Sequence, residues 1–290
     1  MREIEVFLAD THGGHKLSLL NPDTILFDDS NFPAEDPTPK TVSLGAVQEW
    51  LWECYQEDIQ FVLDLAGKSR INVIHVGDVT WGNRHPEQTV DTSPANQARI
   101  AAANLLVWAR LRQVKSIHLI AGTGSHEYQY AANDLVVHYL RSGLARKIDI
   151  TALRHALFRV GDHTFDCSHH GPTPGGRTWL EGNELRYYLR SAMIGEILRG
   201  KTPPRVYIRG HYHTYAKEHL EIRGAEGREM VASDIILLPS YCGMTPYAQQ
   251  KTRSRHTLDC GLVAVEVRDN RDVQIYPRWR AIDLRQEVDL

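Results

Sequence analysis

Five short polar clusters carry the side chains in this sequence that could do chemistry, and they share one palette of aspartate, histidine and glycine. They are Asp10-Thr11-His12-Gly13, Gly77-Asp78, Gly122-Thr123-Gly124-Ser125-His126-Glu127, Ser168-His169-His170-Gly171 and Gly210-His211-Tyr212-His213. Carboxylate with imidazole, and no cysteine between them, is a donor set for manganese, iron or zinc and argues against a thiolate site. Asp10 and His12 are two residues apart, as are His211 and His213; in extended backbone that spacing puts both side chains on one side of the chain. A single carboxylate such as Asp78 can sit between two ions, the arrangement that two-metal sites use for in-line attack at phosphorus. The chain holds 15 histidines, and their gathering in these clusters is its main anomaly.

Each cluster follows a run with strand character. Strands are expected over residues 3–9, 71–76, 116–121, 156–160, 163–168, 205–209, 234–239, 261–267 and 273–276. Helices are expected over 44–66, 94–112, 131–142 and 184–198, the second opened by Ser93 as N-cap and Pro94 as first helical residue. The early chain alternates strand and helix, while the last third reads as hairpins turning at Gly161-Asp162 and Asp269-Asn270. This is the pattern of an α/β layered domain whose sheet gains antiparallel strands late. Ligand sites in such sheets lie beyond the carboxyl ends of the strands, so the five clusters are expected to converge there. Residues 17–40 and 80–92 read as polar loops inserted into one domain spanning 1–290.

Composition narrows the class further. With 290 residues, 42% hydrophobic and 24% charged, the chain can bury a large core and is neither disordered nor fibrous. Apolar runs such as 235–238 are too short to span a bilayer, so no membrane partner is expected. Four cysteines, Cys54, Cys167, Cys242 and Cys260, show neither CxxC nor disulfide-scaffold spacing, and the start does not resemble a signal peptide. A reduced, cytoplasmic protein is expected; oligomeric state is not readable. Cys167 beside His169 is better explained as a small buried residue than as a nucleophile. His75 and His118 lie within strands and are expected to pack, as are Trp50, Trp52 and Tyr55. Net charge is -3, from 33 Lys and Arg against 36 Asp and Glu. Two local basic stretches stand out: seven arginines and lysines against three glutamates from Arg177 to Arg209, and Lys251, Arg253 and Arg255. Each is either a phosphate-tracking face or a solvated face with internal charge pairs.

The order DxH, GD, Gly-x-His-acid, HG and GHxH, running from Asp10 to His213, resembles the calcineurin-like metallophosphoesterase superfamily. The resemblance implies a four-layer αββα sandwich with a di-metal site at the carboxyl edge of its strands. It implies Asp10, His12, Asp78 and His213 as ligands of one metal and Asp78, His170 and His211 as ligands of the other. The catalytic residues would be the shared Asp78 and His126, the latter meeting substrate phosphate and protonating the leaving group. Where the family has an asparagine ligand this chain has Ser125; Ser125, Thr123 or a water fills that place. His169 and His170 are adjacent and would point oppositely on a strand. The family histidine directly precedes the glycine, which favours His170 as ligand and leaves His169, with Ser125 and Arg177, to the substrate. The opening 10–14, the Trp-containing segment 49–52 and the run 169–177 look like phosphoesterases found in phage genomes. The implied activity is hydrolysis of phosphodiester bonds by a hydroxide activated by two divalent ions. Manganese stands first, with iron, zinc, nickel or magnesium as others, and the substrate is a phosphate ester such as DNA or RNA. A phosphatase, a small-nucleotide phosphodiesterase and a non-catalytic metal-binding scaffold are the alternatives.

Overall fold

A computed structural model describes residues 2–28, 36–175, 180–224, 229–245, 257–269, 271–285 and 288. In chain order its elements are β1 (Arg2–Leu8), β2 (Ile25–Asp28), β3 (Thr38–Thr41), α1 (Ala46–Ala66), β4 (Arg70–Val76), α2 (Pro94–Ala109), β5 (Val114–Ile120), α3 (Ala131–Ser142) and β6 (Asp149–Leu153). They continue as β7 (Ala156–Val160), β8 (His163–Cys167), α4 (Asn183–Leu198), β9 (Val206–Arg209), β10 (Ala216–Arg223), β11 (Met230–Leu237), β12 (Thr257–Arg268) and β13 (Gln274–Asp283). One sheet has the order β13-β12-β1-β4-β5-β6 and a second the order β10-β11-β9-β8-β7.

The alternation of side chains along each strand builds the layers. On β1, Ile4, Val6 and Leu8 face one way and join Leu51, Tyr55 and Val62 of α1, Leu105 and Trp108 of α2 and Leu140 of α3. Phe7 faces the other way and meets Phe165 of β8 and Ile208 of β9 between the sheets. On the outer face of the second sheet, Leu185, Leu189 and Met193 of α4 pack on Tyr207, Ile235 and Leu237. Helices, sheet, sheet, helix is the expected αββα order. No helix among the described residues is long and apolar enough to cross a membrane.

Strands β1, β4, β5 and β6 run parallel, with Leu8 opposite His75 and Val76 opposite Ile120. Their carboxyl ends therefore finish together, and β8, β9 and β11 do the same in the second sheet. This shared edge is what gathers the polar clusters.

The structure departs from the sequence reading in three places. Residues 25–28 and 38–41, expected to lie in a long loop, pair as the β2–β3 hairpin. The segment leading into it is held down: Leu20 and Leu26 pack on Ile100, and the Asn104 side chain bridges the Asn21 amide and the Leu19 carbonyl, each at 2.9 Å. Strands β6 and β10 were not anticipated. β10 alternates buried or half-buried with exposed residues along an edge, and only three of its eight residues, Ala216, Leu220 and Ile222, are apolar. Finally, β9 lies parallel between β8 and β11 rather than in a hairpin.

Candidate metal centre

The turn after β1 presents Asp10 and His12, that after β4 presents Asp78, that after β8 presents His169 and His170, and that after β9 presents His211 and His213. Backbone bonds stitch these turns together. Asp10 N–H donates to the Gly77 carbonyl at 3.0 Å, and His12 N–H to the Asp78 carbonyl at 3.0 Å. Two further contacts cross between the sheets: His211 N–H donates to Asp10 Oδ2 at 2.9 Å, and His169 Nδ1 donates to the Val76 carbonyl at 2.8 Å.

The i, i+2 pairs meet by a different route from the extended backbone expected of them. Asp10, His12, Asp78, His211 and His213 all take positive φ, between 43 and 77°. Left-handed backbone is uncommon outside glycine and costs about 1–3 kcal/mol per residue in strained cases. Five instances at one sheet edge persist because the surrounding bonds hold these turns in place.

Four overlapping groups of donor atoms result: Asp10 with His12 and His213, His12 with Asp78 and His126, Asp10 with Asp78 and His169, and His169 with His170 and His211. His213 Nε2 lies 3.3 Å from Asp10 Oδ1, and His12 Nε2 lies 3.2 Å from His213 Nε2. His169 Nε2 lies 3.2 Å from Asp78 Oδ2 and 3.9 Å from Asp10 Oδ1. Asp10, His12, Asp78 and His169 are each 2% exposed or less.

The electrostatics of this cluster call for a cation. Two buried carboxylates face imidazoles, no lysine or arginine among the described residues pairs with them, and Asp10 Oδ1 and His169 Nε2 are buried without a hydrogen-bond partner. Burial works against ionised Asp10, yet His213 and His169 outweigh it and bring its carboxyl to about 2. Asp78 is held below the usual carboxylate range: burial again opposes, and His169 overrides it. Burial likewise opposes a charged His169, but Asp78 and Asp10 push that imidazole up to about 10. A proton there stands in for the positive charge the carboxylates require. Burial, aided by His126, keeps His12 well below its ordinary value, and burial with the His169 charge brings His211 to about 4. These two rings are neutral at pH 7, the form in which imidazole ligates metal. The donor set and the orphaned atoms thus fit divalent ions.

Of the adjacent histidines, His169 is buried between the two carboxylates and His170 is exposed, reaching this cluster through His169 and His211. Ser125 is exposed. Thr123 is the hydroxyl nearest the carboxylate: its N–H donates to Asp78 Oδ1 at 2.5 Å, and its Oγ1 lies 3.2 Å from Asp78 Oδ2 and 3.4 Å from His170 Nε2. His126 joins His12 and Asp78 and donates from Nδ1 to the Trp81 carbonyl at 2.6 Å. Arg177, and the stretch containing Lys251, Arg253 and Arg255, lie outside the described residues. In the basic stretch ending at Arg209 the charges are largely paired: Arg186 with Glu218, Arg199 with Glu196, Arg205 with Asp234 and Asp272, and Arg209 with Asp166.

Several residues around the centre have partners that the sequence did not show. The Trp81 ring packs between His15 and His126, with centroids 4.3 and 4.9 Å away. Glu127, fully buried, accepts from Gly122 N–H at 2.7 Å and Val79 N–H at 3.3 Å, holding the β4 and β5 turns side by side. His75 Nε2 pairs with Thr11 Oγ1 at 2.8 Å beneath the centre. The Gly-x-His-acid motif placed Glu127 near the site without showing what it would bind.

No protein-family model matches the chain, and no curated protein does. Among solved structures the chain is similar to a metallophosphoesterase from Sphaerobacter thermophilus, with 13% identity and a TM-score of 0.33, covering 98% of this chain and 90% of that one.

Proposed function

We propose that this chain is a metal-dependent phosphoesterase that hydrolyses phosphodiester bonds, with nucleic acid as its substrate. The observation that carries the reading is the buried Asp78 carboxylate, which shares one donor group with His12 and His126 and another with Asp10 and His169. The order of motifs from Asp10 to His213 supports it.

In this reading Asp10, His12, Asp78 and His213 hold one divalent ion, manganese in the first instance. Asp78, His169 and His211 hold the other, with His170 at the exposed rim. When bound, the ions supply Lewis acidity and lower the pKa of water for in-line attack. The protein's own contribution is placement. The turns are fixed before any ion arrives, because backbone amides of Asp10, His12 and His211 are already hydrogen-bonded across the edge. His126, anchored through Nδ1 to the Trp81 carbonyl, keeps Nε2 available to meet substrate phosphate and carry a proton to the leaving oxygen. Thr123 takes the role of the polar group beside Asp78 where the family pattern has asparagine. The four cysteines are all free and buried, which suits a reducing, cytoplasmic setting.

The test is turnover by manganese-loaded protein of bis-p-nitrophenyl phosphate, p-nitrophenyl phosphate and duplex DNA in parallel. Cleavage of the diester and of DNA is expected. Hydrolysis of the monoester alone would return the phosphatase reading, and tight metal binding with no turnover would return the scaffold.

A further inference from the structure

We propose that the edge of the six-stranded sheet opposite the metal centre is a binding surface for the phosphate backbone of double-helical nucleic acid. This goes beyond the hydrolytic reading and does not rest on it.

Three consecutive helix-to-strand connections lie side by side at this edge, beneath β4, β5 and β6. The first, residues 67–70, carries Lys68 and Arg70. The second, 110–115, carries Arg110, Arg112 and Lys115. The third, 141–148, carries Arg141, Arg146 and Lys147. These segments hold eight of the chain's 33 Lys and Arg and none of its 36 Asp and Glu. In a chain of net charge -3, that is a concentrated cationic strip.

The connections form one built surface. Gln113 Nε2 donates to the Gly67 carbonyl at 3.3 Å, tying the second to the first. Arg146 donates to the carbonyls of Ala109, Leu111 and Val114, tying the third to the second. A cleft of about 680 Å³ opens between the first two, lined by Lys68, Arg70, Arg112 and Lys115 with Ser69 and Gln113. A second, of about 410 Å³, lies along the third, beside Arg141, Arg146 and Lys147. Two carboxylates border the strip among the described residues: Glu3, 3.8 Å from Arg70, and Asp149, exposed at the first position of β6. Arg186, Arg199, Arg205 and Arg209 are by contrast matched with acids, as described above.

The chemistry of this strip selects its partner. Repeated exposed cations with hydrogen-bond capacity match a regular array of phosphates. The three connections contain no Phe, Tyr or Trp, so they offer nothing for unpaired bases to stack on, and single-strand binding leans on such platforms. A duplex, with its higher charge density, is the better match. β4 is 7 residues long, so the strip stands about 20 Å from Asp78. It would hold nucleic acid without touching the site, and with no preference for sequence.

The experiment is fluorescence anisotropy of a short labelled DNA duplex with the full-length protein in EDTA, where neither metal nor cleavage contributes. Affinity is expected to fall about 100-fold between about 50 and 200 mM salt, as for about four phosphate contacts. The triple variant Lys68→Glu, Arg112→Glu, Lys147→Glu should bind at least about tenfold more weakly with a shallower salt slope, while its melting temperature stays that of the parent. Absence of duplex binding by the parent chain, equal binding by the folded variant, or capture by phosphatidylserine vesicles in place of the duplex would each overturn the proposal. Because EDTA is present throughout, loss of the hydrolytic reading would leave this result standing.

Discussion

His169 and Asp78 stand on different sheets, after β8 and β4, yet His169 Nε2 lies 3.2 Å from Asp78 Oδ2 with both side chains buried. The same ring is fixed at its other nitrogen by the Val76 carbonyl, 2.8 Å away. A metal-binding histidine is ordinarily held in this way, because a bond at one ring nitrogen sets the tautomer and aims the other. His170 stands exposed, its Nε2 3.4 Å from the Thr123 hydroxyl.

From this difference follows a comparison of two variants. His169→Ala should weaken manganese binding by about 10- to 100-fold or more, and turnover should fall with it. His170→Ala should change metal affinity far less. Calorimetric manganese titration of the two proteins checks the ranking, and an equal loss in both would assign the ligand role to the pair.

Much of this centre was legible in the sequence, for a physical reason. DxH, GD, HG and GHxH each stand where an apolar run stops, and a parallel sheet brings such points to one edge. The choice between His169 and His170 was not legible, because it depends on left-handed turns and on a carbonyl of a distant strand. The partners of Glu127 and Trp81 were hidden in the same way: Gly122 and Val79 for one and His15 and His126 for the other come from different turns. The β2–β3 hairpin was obscured by the polar residues around Leu20 and Leu26, whose burial against Ile100 needs α2 in place. The cationic edge is not legible in sequence because its charges are spread over three short segments, whereas in 177–209 Arg186, Arg205 and Arg209 meet acids of other elements that the local sequence does not show.

Gly77 tests how tightly the His169 ring is seated. It has a φ of 84°, and a Cβ at this position would run into that ring. Gly77→Ala should cost about 1–3 kcal/mol of stability and lower manganese affinity by displacing His169. Thermal melting with a parallel metal titration checks both; a variant unchanged in each would show that the ring has room to move.

Glu5 gives the fold a pH dependence separate from the metal centre. It is 2% exposed, and Asn72 Nδ2 donates to it at 2.9 Å. Burial, helped by the Glu3 charge and opposed by the Asn72 bond, pushes its carboxyl from 4.5 up to about 8. The folded state therefore holds a proton that the unfolded chain has released. The stabilising contribution is complete below 4.5 and is lost as pH rises towards about 8. Glu5→Gln, uncharged at every pH, should remove this part of the profile, so that its stability relative to the parent grows between about pH 6 and pH 9. Urea unfolding at the two pH values measures the difference; a constant gap between the proteins would contradict it.

In the proposed function the Asp78 carboxylate joins the two groups of donors into one metal-dependent hydrolytic site. Its most direct test is the initial rate of bis-p-nitrophenyl phosphate hydrolysis against free manganese, for metal-stripped parent protein and Asp78→Asn side by side. The expected result is a parent rate that rises from zero and saturates with manganese, and no turnover from the variant at any concentration although it melts as a folded protein. Turnover by the parent without metal, or full activity in Asp78→Asn, would contradict it.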